Sequence, residues 1–405
     1  MLQSPFVRGL LVALACAFLL ARDFVTTGTA AREVPVALVS PARHAAPSEA
    51  LPLTANVGQW STGTIALARL GCVTAYLHPS GWTTAMRAES PSTRRRTESG
   101  TRQALWTSER YGVSRVTIVE ARPDAAPEFE DPLPGAVSLA SGYGAHDWHR
   151  DIPTYRITRV RAVRPGVDLE VATDASSLTW TFVHGERSDV ANTRLFVQGA
   201  QRVRVTPTGR LEIRTAAGTQ HYDAPTASRD GQALRCRFVM HGTFTVGFQI
   251  TEPAASHSGP TVVRFALPGE PEVGDGNPSL LPWDDPRWPR VLDPSGQWVV
   301  AGLASPSTCP DLPADPDELV SLPTETFVAR LSAANRKQRL ATSVTYLHRP
   351  DAASFASVAI DGRGRAALRG CFDGTPDTET TLLCLDLSRP GAEALTFQHP
   401  ALGTH

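Results

Sequence analysis

The densest group of metal-binding and proton-carrying side chains in this chain is His146-Asp147-Trp148-His149-Arg150-Asp151. Two imidazoles with carboxylates beside them are the donor types that hold a borderline divalent ion. Their spacing brings both rings to one face only on a helix, and Pro153 argues against a helix here. The favoured reading is a loop in which Trp148 packs inward and Asp147 caps a turn. No metal and no cofactor are assigned.

Three further groups of acids invite a catalytic reading. Asp293 and Asp361 stand at matching places in two similar stretches, each followed three positions later by a glycine, Gly296 and Gly364. Paired acids or calcium ligands would fit these types. Their repeated Asp-x-x-Gly setting favours turns, where the aspartate accepts backbone N–H bonds and the glycine takes positive φ. Asp284 and Asp285 lie between Trp283 and Trp288, a set suited to a sugar. A linker tucked against its neighbour by the two tryptophans is the simpler account. The acidic stretch Asp311 to Glu318 reads as a surface loop, the kind of place where binding is usual. There is no Gly-x-Ser-x-Gly elbow, His-Glu-x-x-His helix, Walker loop or dinucleotide glycine fingerprint. No catalytic residue is assigned.

Charge excludes a bulk electrostatic role. The 405 residues carry 39 basic and 40 acidic side chains, a net charge of −1, so nothing points to nucleic acid or to an anionic membrane. Lys337 is the only lysine. Arg94-Arg95-Arg96 sits in a polar insertion, 88–102, without interleaved aromatics and is read as a solvated loop.

Residues 1–31 are expected to be a signal peptide. Arg8 precedes an apolar run from Gly9 to Ala21, and Thr29-Ala30-Ala31 supplies the small residues of a cleavage site. The run is shorter than the roughly 20 residues a transmembrane helix needs. Cys16 lies inside it, and a lipid anchor there is the competing reading, although Ala13-Leu14-Ala15 is a poor lipobox. Export places Cys72, Cys236, Cys309, Cys371 and Cys384 in an oxidising compartment, where an odd number leaves at least one thiol free or paired between chains. Cys371–Cys384 is the preferred disulfide and Cys309–Cys371 the next.

The elements that must position these groups read as strands. Residues 32–50 are Ala/Pro-rich and are expected to form a flexible leader. Residues 51–267 alternate strand and turn and predict a β-sandwich-like domain. Val73 to Leu77 is a strand ending in the turn His78-Pro79-Ser80-Gly81, and Arg202 to Arg214 predicts a hairpin with one wet face. Residues 268–290, rich in Pro, Gly and Asp, read as a linker. Within 291–405, Val291 to Gly302 returns 68 positions later as Ala359 to Gly370. Each copy leads to a Thr-Glu-Thr triplet, Thr324 to Thr326 and Thr378 to Thr380, and then to an apolar run. Self-similarity at this period marks a repeat architecture. In the second copy, Phe355–Ile360, Arg365–Gly370, Leu382–Leu387 and Leu395–Phe397 give four short strands, the content of a propeller blade. The fold class expected is all-β, with about two blades of an incomplete propeller after the N-terminal domain.

These residues resemble bacterial secreted proteins with SBBP-type β-propeller repeats behind an N-terminal β-rich domain of unknown function. Asn56-Val57-Gly58-Gln59 resembles the family's opening element. His146-Asp147-Trp148, Ile152-Pro153-Thr154-Tyr155 and Pro165-Gly166-Val167-Asp168-Leu169 follow in the family's order, the last with Arg164 in place of tyrosine. Phe327 to Leu331 and Thr342 to Leu347 resemble the repeat strands, with His348-Arg349 where the family has two glycines. The resemblance implies structural roles for Asn56, Gly58, Gln59, Trp148, Pro153, Tyr155, Pro165, Gly166 and Asp168.

The resulting expectation is an exported, non-catalytic binding or structural protein, outside the cell, at its surface or in the periplasm. Its partners would be extracellular proteins or glycans, with no nucleic acid and no transmembrane span; its oligomeric state stays open. The alternatives are an extracellular polysaccharide hydrolase and a lipid-anchored envelope component. Mass spectrometry of the exported protein should find an N-terminus at Arg32, whereas an acylated Cys16 would establish the anchor instead.

Overall fold

The computed structural model describes residues 51–60, 63–88, 109–140, 148–186, 188–251, 259–269, 290–293, 296–304, 307–322, 325–331, 341–347, 354–360, 365–371, 379–386 and 395–400. Residues 1–50 with Cys16, Arg94 to Arg96, His146, Asp147, Trp283, Asp284, Asp285, Trp288, Asp361 and Gly364 lie outside them.

The chain is all-β, and no α-helix occurs among the described residues. In order the strands are β1 (Leu53–Ala55), β2 (Ala66–Leu70), β3 (Val73–His78), β4 (Gly81–Arg87), β5 (Glu109–Ile118), β6 (Pro127–Pro132), β7 (Ala136–Ala140), β8 (Trp148–Ile152), β9 (Thr154–Arg164) and β10 (Val167–Thr173). Then come β11 (Ser177–His184), β12 (Arg194–Gln198), β13 (Arg202–Val205), β14 (Leu211–Thr215), β15 (Gly218–Tyr222), β16 (Thr226–Arg229), β17 (Gln232–Leu234), β18 (Cys236–Met240), β19 (Thr245–Ile250) and β20 (Thr261–Pro268). The last are β21 (Arg290–Leu292), β22 (Trp298–Ala304), β23 (Val320–Leu322), β24 (Glu325–Leu331), β25 (Ala341–Leu347), β26 (Ser354–Ile360), β27 (Arg365–Cys371), β28 (Glu379–Asp386) and β29 (Leu395–Pro400).

A 16-stranded sheet runs β17-β16-β20-β11-β10-β9-β1-β2-β3-β4-β5-β12-β19-β18, with β6 added on β9 and β23 on β5. It curls back on itself: Phe238 of β18 and Phe265 of β20, near its two ends, bring ring centroids within 5.4 Å. The N-terminal strands therefore face one another across a core, as in a sandwich, but belong to one curved, nearly closed sheet. Trp82 and Trp180 lie at its centre, 4.6 Å apart, with Trp180 stacked on Phe265 at 5.7 Å. Alternation writes this inner face: β10 and β12 bury every second residue. At the β3–β4 turn, Gly81 runs so close to β5 that an added Cβ would stand 2.0 Å from the Val116 carbonyl oxygen.

One strand pair bends at a bulge. The β9–β10 register shifts between Val167 and Leu169, and Ala162 adopts φ 46°. Asp168 accepts the Ala162 N–H at 2.7 Å, which satisfies a donor taken off the ladder. Pro165 and Gly166 form the turn just beyond.

Strands that follow residue 290 pair with strands that precede residue 268. β23 pairs with β5, and β25 pairs in parallel with β7 inside a 6-stranded sheet, β21-β22-β24-β25-β7-β8. The C-terminal strands thus pair with strands from the first half of the expected N-terminal domain. A composition change marks a connection, but pairing between strands about two hundred residues apart leaves no local signal.

β26-β27-β28-β29 form a 4-stranded antiparallel sheet. Its register sets Cys384 opposite Ala367, four residues along β27 from Cys371. Among the described side chains, Cys309 forms no disulfide.

His184, at the end of β11, is fully buried with Nδ1 3.4 Å from Ser188 Oγ and no partner for Nε2 among the described residues. Burial, helped by Arg164, pushes its pKa down to about 4. Because the folded value lies below the unfolded one, this stabilisation is complete above about pH 6.5 and is lost as pH falls through 4, up to about 3 kcal/mol. Urea denaturation should show His184→Gln losing less stability than the wild type between pH 6.5 and 4.

Candidate functional site

β2 and β3 are buried on both faces, and so is most of β4 and β5. Ala66, Ala68, Leu70, Val73, Ala75 and Leu77 point into the curved sheet. Their neighbours Leu67, Tyr76, Ala85, Tyr111 and Val113 form a second cluster on the outer face, covered by Cys309, Leu312, Val320 and Leu322. A cover drawn from residues 307–322 therefore closes over the outside of the sheet, and the polar groups with chemical potential lie beneath it.

Arg69 projects from β2 into this layer with 9% exposure, and Glu325 at the start of β24 is 0% exposed. Arg69 Nη2 donates to Glu325 Oε2 at 3.1 Å and to Ser307 Oγ at 2.8 Å. Ser307 donates its hydroxyl to Glu325 Oε2 at 2.6 Å and its backbone N–H to Oε1 at 2.7 Å. The guanidinium also lies 4.1 Å from the centre of the Tyr346 ring, a cation–π contact. Burial raises Tyr76 and Tyr346, with Arg69 opposing in each case, so both phenols keep their protons. The result is a desolvated ion pair joining β2 to the repeat strands.

A thiol and an imidazole lie at the other end of the same face. Cys309 Sγ is 3.9 Å from His78 Nε2. His78 Nδ1 is 2.7 Å from the Gly63 carbonyl oxygen, so Nδ1 carries the proton and Nε2 offers a lone pair. Thr83 Oγ1, 2.9 Å from Nε2, donates to it and accepts from Arg115 Nε at 3.0 Å. Burial raises the Cys309 thiol, against Thr83 and Arg115, and burial lowers His78. Both shifts favour the neutral pair over thiolate and imidazolium, so this is a packed polar contact and not an activated nucleophile.

The residues singled out in the sequence are dispersed. Asn56 Oδ1 accepts from the Gly58 and Trp60 N–H groups at 3.0 and 3.2 Å, and its Nδ2 donates to the Thr64 carbonyl at 2.6 Å. Gln59 donates to the Ala55 carbonyl at 2.6 Å and accepts from Val57 N–H at 2.6 Å. This self-bonded loop delivers Trp60, which packs against both the outer cluster and the core of the 6-stranded sheet. Tyr155 stacks on Phe129 at 4.9 Å. Pro153 separates β8 from β9, and Trp148 opens β8, a strand and not a loop. Asp293 Oδ1 accepts the Gln297 N–H at 2.8 Å, and Arg330 Nε donates to Oδ2 at 2.9 Å. Gly296 closes that turn at φ 80°. In the acidic loop, Asp315 accepts the Asp317 N–H at 2.9 Å. No group of three or more metal-ligating side chains occurs among the described residues.

Arg69 and Glu325 were not singled out by sequence. Their signals were a lone charge inside the apolar run Ile65 to Leu70 and the repeated Thr-Glu-Thr triplet.

The fold and this seam define an all-β protein whose curved sheet is closed over by its own C-terminal strands. The family of the domain of unknown function DUF7948 matches residues 53–262, just over half of the chain. The protein belongs to that family. The match runs from β1 into β20 and contains all the motif residues from Asn56 to Asp168. No curated protein matches the chain.

Glu325→Gln would leave the buried Arg69 without its counter-charge and should cost about 3–5 kcal/mol, whereas Arg69→Met with Glu325→Leu should recover most of that loss. Equilibrium urea unfolding of the three proteins checks both outcomes.

Proposed function

We propose that this is an exported, non-catalytic binding or structural protein, whose C-terminal strands are two SBBP-type propeller blades presented to extracellular proteins or glycans. The observation that carries the reading is how the acids are used. Both oxygens of Glu325 and both of Asp293 are engaged by arginines, backbone N–H groups or Ser307. Asp168 holds a bulge and faces Arg161 at 3.6 Å. A general acid or nucleophile needs an oxygen directed at substrate, and these oxygens are spent on structure.

Support for the blades comes from strand correspondence. β21, β22, β24 and β25 pair antiparallel in sequence order, as do β26, β27, β28 and β29. The repeated stretches fall on matching strands, β22 with β27, and the two glutamates of the Thr-Glu-Thr triplets open β24 and β28. Addition of β7 and β8 to the first sheet anchors it to the DUF7948 domain. No helix among the described residues is long and apolar enough to cross a membrane.

The exported protein should bind saturably on an array of glycans and secreted proteins and release no reducing ends from polysaccharides. Steady release of reducing ends would establish the hydrolase instead.

A further inference from the structure

The small sheet β13-β14-β15 turns one face inward and one outward. Val203, Leu211, Ile213 and Tyr222 join the main core, while Arg202, Arg204, Arg214 and His221 are exposed. Pairing arranges the outer residues in two rows. Arg202 stands opposite Arg214, which stands opposite Thr219; Arg204 stands opposite Glu212, which stands opposite His221.

The second row is neutralised within itself. Glu212 forms an ion pair with Arg204 and lies 3.5 Å from His221 Nδ1. The first row is not. Arg202 and Arg214 directly face each other, and neither has an ion pair or side-chain hydrogen bond among the described residues. Arg202 feels Glu212 only at longer range. Like charges directly opposite on a strand pair destabilise it, and two exposed arginines whose Cα atoms face each other at about 5 Å across a strand pair carry donors suited to a carboxylate. The next arginine, Arg210, is taken by Asp223 at 3.4 Å.

We infer that the Arg202–Arg214 row is a docking strip for an acidic polysaccharide bearing carboxylates. This inference rests on the binding reading above and names one partner class for it. The occupant follows from charge density. Duplex DNA carries a charge about every 1.7 Å, far denser than two arginines bordered by a row that is already neutralised within itself. A glycan with one carboxylate per sugar or fewer matches so short a strip. Both arginines are exposed, and Thr219 adds a hydroxyl on the strand position opposite Arg214.

The test is affinity electrophoresis of the full exported protein in gels containing polygalacturonate, dextran or no polymer. Wild type should be retarded by polygalacturonate alone, and less so as salt rises. Arg202→Gln with Arg214→Gln should weaken retardation about tenfold. Arg161→Gln with Arg237→Gln, the same charge change elsewhere on the surface, should leave it within about twofold. Circular dichroism verifies that each variant folds. Equal loss in both double variants, no retardation of wild type, or stronger binding to duplex DNA through the same two arginines would each overturn the inference. Array binding that survives loss of Arg202 and Arg214 would sink this strip while leaving the binding reading intact. Absence of binding to any glycan or protein would sink both.

Discussion

Arg69 leaves the outer face of a strand whose inner face is packed into the core, and a guanidinium in that position must be solvated or matched. Water is excluded there because Tyr346 packs over the guanidinium, and the same outer face carries Leu67, Tyr76, Tyr111 and Val113, apolar surface that itself needs a cover. Covering them commits the chain to burying Arg69, and burying Arg69 requires Glu325 and Ser307 at hydrogen-bonding distance. The ion pair adds little net stability compared with a hydrophobic substitute. Its weight lies in geometry, since any shift of β24 along the sheet would strand a charge. The position of the repeat strands against the DUF7948 domain depends on that constraint.

The same rule, that a buried polar group must find its partner, explains the residues that looked chemical. His78 is satisfied beneath the cover by the Gly63 carbonyl and Thr83, with Arg115 donating to Thr83 and the Cys309 thiol packed beside the ring. Asp293 serves a turn and an arginine at once. Asp168 supplies the acceptor that the bulged Ala162 lost. In this protein the interior polar groups stabilise connections. Unmatched charge is found on the surface instead, at Arg202 and Arg214, where solvent makes it tolerable and a ligand can reach it.

The 6-stranded sheet is built from two distant parts of the chain. β7 joins β25 in parallel and β8 extends the sheet further, so the β25 edge is occupied by strands of the DUF7948 region. Trp60, held by the Asn56–Gln59 loop, packs where the two regions meet. The family motif at the start of the domain thus acts as a fastening for the C-terminal strands.

Local pattern was legible wherever a residue's role depends on near neighbours. The hairpin of Arg202 to Arg214, the turn at His78 to Gly81, the strands of the second repeat and the Asp293–Gly296 turn all follow from alternation and turn chemistry within about a dozen residues. Spacing carries no strand register, and the pairing of β5 with β23 and of β7 with β25 is silent in composition. Arg69 and Glu325 are 256 residues apart, and each alone reads as an odd charge in an apolar strand. By itself the sequence determined the all-β class and many of the strand positions, since backbone propensity and side-chain alternation act locally. Only the tertiary structure decided which strands share a sheet, what covers its outer face and which charges are left unmatched, because those outcomes depend on contacts whose partners are distant along the chain.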